Sequence, residues 1–143
     1  MLTRRGFACF ASCAICAATG FIATDASAQG AQPAAAGGLT RTTLSQIDGP
    51  MPGYETINML VEIEPNFFII RHTHFGIESG YVLEGGLDLP VKGQPTRTLK
   101  PADGYEVPPE TPHAGVKNGD KKTRLAITYV VEKGKPLVTP VPD

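Results

Sequence analysis

The sequence predicts an all-β domain, a sandwich or a small barrel, and three observations carry that reading. Thirteen prolines and sixteen glycines punctuate 143 residues, so the chain turns often. Between these breakers lie roughly eight or nine short β-prone or alternating segments at regular spacing. No helical pattern longer than a turn or two follows residue 28.

Charge narrows the choice of partner. Lysine and arginine number 13 against 14 acidic residues, so no basic surface for nucleic acid or for anionic lipid is expected. The length allows one domain and a non-domain segment.

That segment comes first. Thr3-Arg4-Arg5-Gly6-Phe7 resembles a twin-arginine export signal. An uncharged run from Gly6 to Thr24 follows and ends in Ala26-Ser27-Ala28, a small-x-small cleavage pattern before Gln29. Residues 1–28 are expected to be a cleaved signal peptide, so the membrane is met only through this segment and the product is periplasmic or secreted. An uncleaved anchor is the competing reading, but the run is rich in Ala, Gly, Ser, Thr and Cys and would span a bilayer poorly. Lipidation at Cys13 or Cys16 would need a better flanking sequence. All three cysteines, Cys9, Cys13 and Cys16, lie within this segment. The remainder has neither disulfides nor thiolate ligands to offer, which suits a domain that folds, and takes up a metal, before export.

The rest follows in order. Residues 29–38 (QGAQPAAAGG) form a flexible linker. The domain runs over 39–132. Thr40–Ile47 is β-prone and ends in the turn cluster Asp48-Gly49-Pro50-Met51-Pro52-Gly53. Tyr54–Glu64 alternates, with Ile57, Met59, Val61 and Ile63 on one face. Phe67–His74 is the next strand, in which parity puts Phe68 and Ile70 on the side of His72 and His74 as an apolar wall. Glu78–Glu84 follows, and Gly85-Gly86 predicts a tight hairpin. Leu87–Val91 and Thr96–Lys100 flank a Lys92–Pro95 turn. Asp103-Gly104 opens Tyr105–Val107, and Asn118-Gly119 predicts a hairpin between His113–Lys117 and Thr123–Val131. Val82, Leu125, Ile127 and Tyr129 are expected beside Phe68 and Ile70 in the interior. Residues 133–143, with three prolines, form an extended tail that pairs along an edge or stays mobile.

The chemistry-bearing residues cluster. His72 and His74 stand one residue apart on a strand and so share a face. Glu78 keeps their parity four residues on, and the remaining histidine, His113, follows the proline-stiffened Pro108-Pro109-Glu110-Thr111-Pro112. Three imidazoles and a carboxylate suit a divalent transition metal. A chance His-x-His-x3-Glu in a chain of this composition occurs roughly 0.003 times.

These segments resemble the cupin family. Its first motif, His-x-His-x3-Glu-x6-Gly, is matched by His72, His74, Glu78 and Gly85; the glycine that usually precedes it is here Asn66. In its second motif, Gly-x5-Pro-x-Gly-x2-His-x3-Asn, Pro108 and His113 match, whereas Ala102, Glu110 and Lys117 replace Gly, Gly and Asn. The resemblance covers about residues 40–131 and implies a jelly-roll β-barrel of two antiparallel sheets with a metal at one end of its interior. It further implies His72, His74, Glu78 and His113 as ligands of Mn, Fe, Ni, Cu or Zn, with open positions for water or a chelating small molecule. A homodimer paired through edge strands, with Leu39–Ile47 and Pro136–Pro142 as the candidate edges, is likewise an expectation from resemblance.

Three functions fit: a metal-dependent oxygenase, isomerase or lyase on a small oxygenated substrate; a non-catalytic periplasmic protein binding metal or a small ligand; and a barrel whose metal only stabilises it. Tyr81, Glu84 and Glu106 lie near the site in sequence, but none earns a role as general acid or base.

Overall fold

The computed structural model describes residues 37–117 and 119–142. The predicted signal segment, and the linker up to residue 36, fall outside them.

Ten strands form: β1 (Leu39–Asp48), β2 (Tyr54–Ile63), β3 (Phe68–Thr73), β4 (Gly76–Glu84), β5 (Leu87–Leu89), β6 (Arg97–Leu99), β7 (Gly104–Val107), β8 (His113–Lys117), β9 (Thr123–Glu132) and β10 (Thr139–Pro140). They make two five-stranded antiparallel sheets, β1-β2-β9-β4-β7 and β10-β3-β8-β5-β6. No helix occurs among the described residues, so the all-β jelly-roll reading holds.

The sheets close over a shared apolar interior. β9 shows the cause most simply: Thr123, Leu125, Ile127, Tyr129 and Val131 alternate inward and are buried, as a strand with one wet face must. Ile57, Val61 and Ile63 of β2 and Val82 of β4 lie beside them on the same face of that sheet, while Leu87, Leu89 and Leu99 come from the other.

Two predicted hairpins are not hairpins. β4 lies in the first sheet and β5 in the second, so Gly85-Gly86 carries the chain between sheets. β8 and β9 likewise lie in different sheets and pair with other partners; Asn118 of the predicted turn lies outside the described residues. A two-residue glycine signal reports a sharp reversal, and a sandwich corner needs one as much as a hairpin does. Gly85 does adopt the positive φ expected of it, at 75°. A Cβ there would lie 2.6 Å from the Lys122 carbonyl oxygen.

The predicted apolar wall is also corrected. Phe68 and Ile70 are 59% and 66% exposed, and they line a groove with Val91, Pro112 and Val116. The β3–β8 register explains why. Ile69 pairs with Gly115 and His72 with His113, so β3 carries one extra residue between them. This bulge reverses the parity of everything before it. Ile69 therefore reaches the interior, where His72 and His74 already are.

Candidate metal centre

The four predicted ligands come from both sheets. His72 lies one residue before the end of β3 and His113 begins β8, directly opposite it in the ladder. His74 follows β3, and the chain then crosses to the first sheet, where Glu78 sits in β4 opposite Tyr129. Gly76 permits the crossing at close quarters, since a Cβ would lie 2.0 Å from the Val130 carbonyl oxygen. All four side chains are buried, and one donor atom from each lies within 4.8 Å of the others.

Backbone carbonyls fix the imidazole tautomers. His72 Nδ1 meets Ile70 O at 2.7 Å, His113 Nδ1 meets Thr111 O at 2.9 Å, and His74 Nδ1 makes a short contact with Leu137 O. A carbonyl only accepts, so each Nδ1 carries the hydrogen and each neutral ring presents a bare Nε2. Glu78 Oε2 lies 2.6 Å from His74 Nε2 and 3.4 Å from His113 Nε2. Yet both nitrogens are buried without a hydrogen-bond partner. The two facts agree once the tautomers are set. The short distances bring a lone pair against a carboxylate oxygen, an arrangement that needs positive charge between them.

The electrostatics point the same way. Burial, then neighbouring His113, pulls His72 down to about 4, so its ring stays neutral. Burial would raise Glu78, but the close approach of His113 and His74, favourable once a positive charge lies between ring and carboxylate, outweighs it and holds the carboxyl well below its usual range. Burial would also lower His113, yet Glu78 opposes it and the net shift is upward. The positive charge is therefore a proton shared through His113 or a metal ion. Three neutral nitrogens and one carboxylate oxygen, buried and convergent, are donors that fit a divalent transition metal. This set could hold one.

A second tier of residues was not read from the sequence. Tyr105 donates its hydroxyl to Glu78 Oε1 at 2.7 Å, and its ring occupies space left by Gly80, where a Cβ would fall 2.2 Å from ring atoms. Tyr129 packs on His74 at 5.0 Å between ring centroids. Burial above all pushes both phenols well above the ordinary tyrosine range; Glu78 adds to this, and Arg41 opposes it at Tyr129. Strand alternation could have turned both tyrosines inward in advance, but nothing in the sequence ties Tyr105 to Glu78. Tyr81 is 46% exposed and Glu84 and Glu106 are exposed, so none of them faces the centre. The site opens onto a small cavity of about 20 Å³ lined by His72, Glu78, His113, Tyr105, Tyr129 and Arg41 over walls that include Ile69 and Leu89.

Comparison with known proteins agrees with this fold. No curated protein matches the chain by sequence. Among solved structures, KdgF from a Halomonas species superposes with a TM-score of 0.56 at 18% identity, over 67% of this chain and 82% of that one. The DMSP lyase DddQ from Ruegeria pomeroyi DSS-3 gives 0.59 at 19% identity, over 73% of this chain and 52% of that one. The polyketide cyclase RemF from Streptomyces resistomycificus gives 0.59 at 24% identity, over 75% and 73%. At these identities the likeness is one of fold. The model of the cupin domain family matches residues 59–136, more than half the sequence and all four converging side chains, and the chain belongs to that family.

Proposed function

We propose that this cupin is a metal-dependent enzyme acting on a small oxygenated molecule, by oxygenase, isomerase or lyase chemistry. The observation that carries it is the convergence of three tautomer-fixed imidazoles and Glu78 on one buried point. His72, His74, Glu78 and His113 would hold the ion, which when bound supplies Lewis acidity or activates oxygen. The chain's own groups do the rest. Tyr105 holds Glu78 in place. The raised proton affinity of Tyr129 keeps its phenol protonated at neutral pH, so it serves as a hydrogen-bond donor to a ligand oxygen and not as a base. Apolar side chains such as Leu89, Leu125 and Ile127 wall the cavity beside the polar end. Two fold neighbours are a lyase and a cyclase by name, which supports chemistry without net redox change as readily as oxygen activation.

The small cavity supports a second reading, a non-catalytic protein that holds a metal or a small ligand. Elemental analysis of the purified protein, followed by turnover and oxygen-uptake assays on flavonols, catechols, thiols and keto acids, separates the two. Turnover dependent on the bound metal supports the enzyme; tight binding with silence across the panel supports the holder. His113→Ala should lower metal stoichiometry, and unchanged stoichiometry removes His113 from the set.

We also propose export, on the Arg4-Arg5 pattern and the cysteine-free remainder of the chain. Arg4→Lys with Arg5→Lys should hold the protein in the cytoplasm, and normal export of that variant would refute the pathway.

A further inference from the structure

One cation lines the cavity without serving the centre. β1 is an edge strand, and its side chains from Thr42 to Asp48 are exposed. A long arginine on such a strand can put its head group into water at little cost. Arg41 is half-buried instead. It lines the same cavity as His72, Glu78 and His113, it lies beside the Tyr129 hydroxyl, and its Nε is closed off from solvent with no hydrogen-bond partner. An N–H left buried without an acceptor is costly, and the carboxylate in that lining is already committed. Glu78 gives Oε1 to Tyr105 and turns Oε2 toward His74 and His113.

We propose that Arg41 anchors the carboxylate of a small anionic ligand whose neighbouring oxygen faces the three-histidine centre. This deepens the metal-dependent reading above and rests on it for the second half of the contact. The guanidinium edge that carries Nε forms one side of a two-pronged donor matching a carboxylate, which a lysine cannot reproduce. Arg41 is the single arginine or lysine in the cavity lining, and with a divalent ion bound beside it the cavity would carry net positive charge. The cavity volume, about 20 Å³, admits one small polar group. The buried end of the ligand is therefore short. Short 2-oxo and 2-hydroxy acids have this form, with a carboxylate and an adjacent oxygen.

The test compares pyruvate with its neutral isostere pyruvamide by calorimetric titration of the purified full chain, with metal content measured on the same samples. Wild type should prefer pyruvate by about 10- to 100-fold, the range expected of a charge-assisted pair. Arg41→Met should reduce that preference to within about twofold while keeping the metal, and Arg41→Lys, which keeps charge but not the two-pronged edge, should fall between. Arg41→Lys also serves where Arg41→Met fails to fold. A wild type that does not discriminate, or a folded Arg41→Met that still does, overturns the proposal. Its failure is distinct from failure of the metal reading. A wild type that holds no metal but loses pyruvate preference on Arg41→Met keeps the anchor and removes the ion; a metal-loaded Arg41→Met with full preference does the reverse.

Discussion

Tyr105 and Glu78 share a hydrogen bond of 2.7 Å, and that bond decides which carboxylate oxygen turns toward the histidines. Oε1 is held by the phenol and Oε2 is left facing His74 and His113. Tyr105→Phe should therefore act at a distance of one residue. It leaves a buried carboxylate oxygen without its donor, at a cost of about 1–3 kcal/mol in unfolding free energy. It should also weaken metal affinity about 10- to 100-fold, as loss of a partner behind a ligand does. Gly80→Ala should weaken affinity in the same direction, because its methyl would occupy the Tyr105 ring position. Competitive chelator titration measures both, and wild-type affinity in both variants would show that Glu78 needs no such support.

The C-terminal segment holds the other side of the centre. Leu137 O accepts from His74 Nδ1, Thr139–Pro140 pairs with β3, and Val141 N bonds to Arg71 O at 3.0 Å. Deleting residues 136–143 removes the acceptor that fixes the His74 tautomer. Metal affinity should fall about 10- to 100-fold while the ten-residue strands β2 and β9 keep their pairing. Circular dichroism and chelator titration of the truncated chain check the two halves, and unaltered affinity would make the segment a passive edge.

How much of this was legible in the sequence follows from which signals are local. Parity along a strand is local, so the shared face of His72 and His74 and the buried faces of Tyr54–Glu64 and Thr123–Val131 could be read directly. Strand pairing is not local. Gly85-Gly86 and Asn118-Gly119 announce reversals without saying whether the chain returns to the same sheet or crosses to the other. The bulge between Ile69 and His72 has no signature of its own, and it moved Phe68 and Ile70 from the expected inner wall to the outside. Tyr105 and Arg41 became visible only when β7 and β1 were set against β4 and β2.

Acid should weaken the metal-free protein in a defined window. His72 falls from an ordinary 6.5 to about 4 on folding, so the unfolded chain binds a proton that the native state refuses. Stability is then full above pH 6.5 and declines as pH falls from 6.5 toward 4, by up to about 3 kcal/mol. Glu78, also depressed, adds a loss below the ordinary carboxylate range. His113, raised, contributes in the opposite sense and above pH 6.5, where its share of stability drains as pH rises through its folded value. Urea unfolding of chelator-treated protein at pH 7, 5.5 and 4 should show the decline; a flat profile would mean that His72 is not held neutral.

The departures from the family pattern give the sharpest stability prediction. Asn66, Ala102 and Glu110 stand where the two cupin motifs carry glycine, and they are the three non-glycine residues with positive φ among the described ones, at 61°, 74° and 52°. The backbone has kept the conformation while the side chain has changed. Each turn is tied by main-chain bonds: Phe67 N to Glu64 O, Ala102 N to Val82 O, and Glu110 N to His74 O at 2.9 Å. The last joins the His113 loop to the His74 segment, so relaxing φ at Glu110 would pull His74 and His113 apart. Left-handed backbone costs an ordinary L-residue about 1–2 kcal/mol, and glycine returns part of this through its freer unfolded chain, about 0.5–1 kcal/mol. Ala102→Gly and Glu110→Gly should each stabilise by the difference, about 0.5–1 kcal/mol. Asn66→Gly should gain less, since asparagine tolerates this region. Thermal or urea unfolding of the three variants decides it: the account is falsified if Ala102→Gly and Glu110→Gly unfold at or below wild type, for then these turns hold no strain to release.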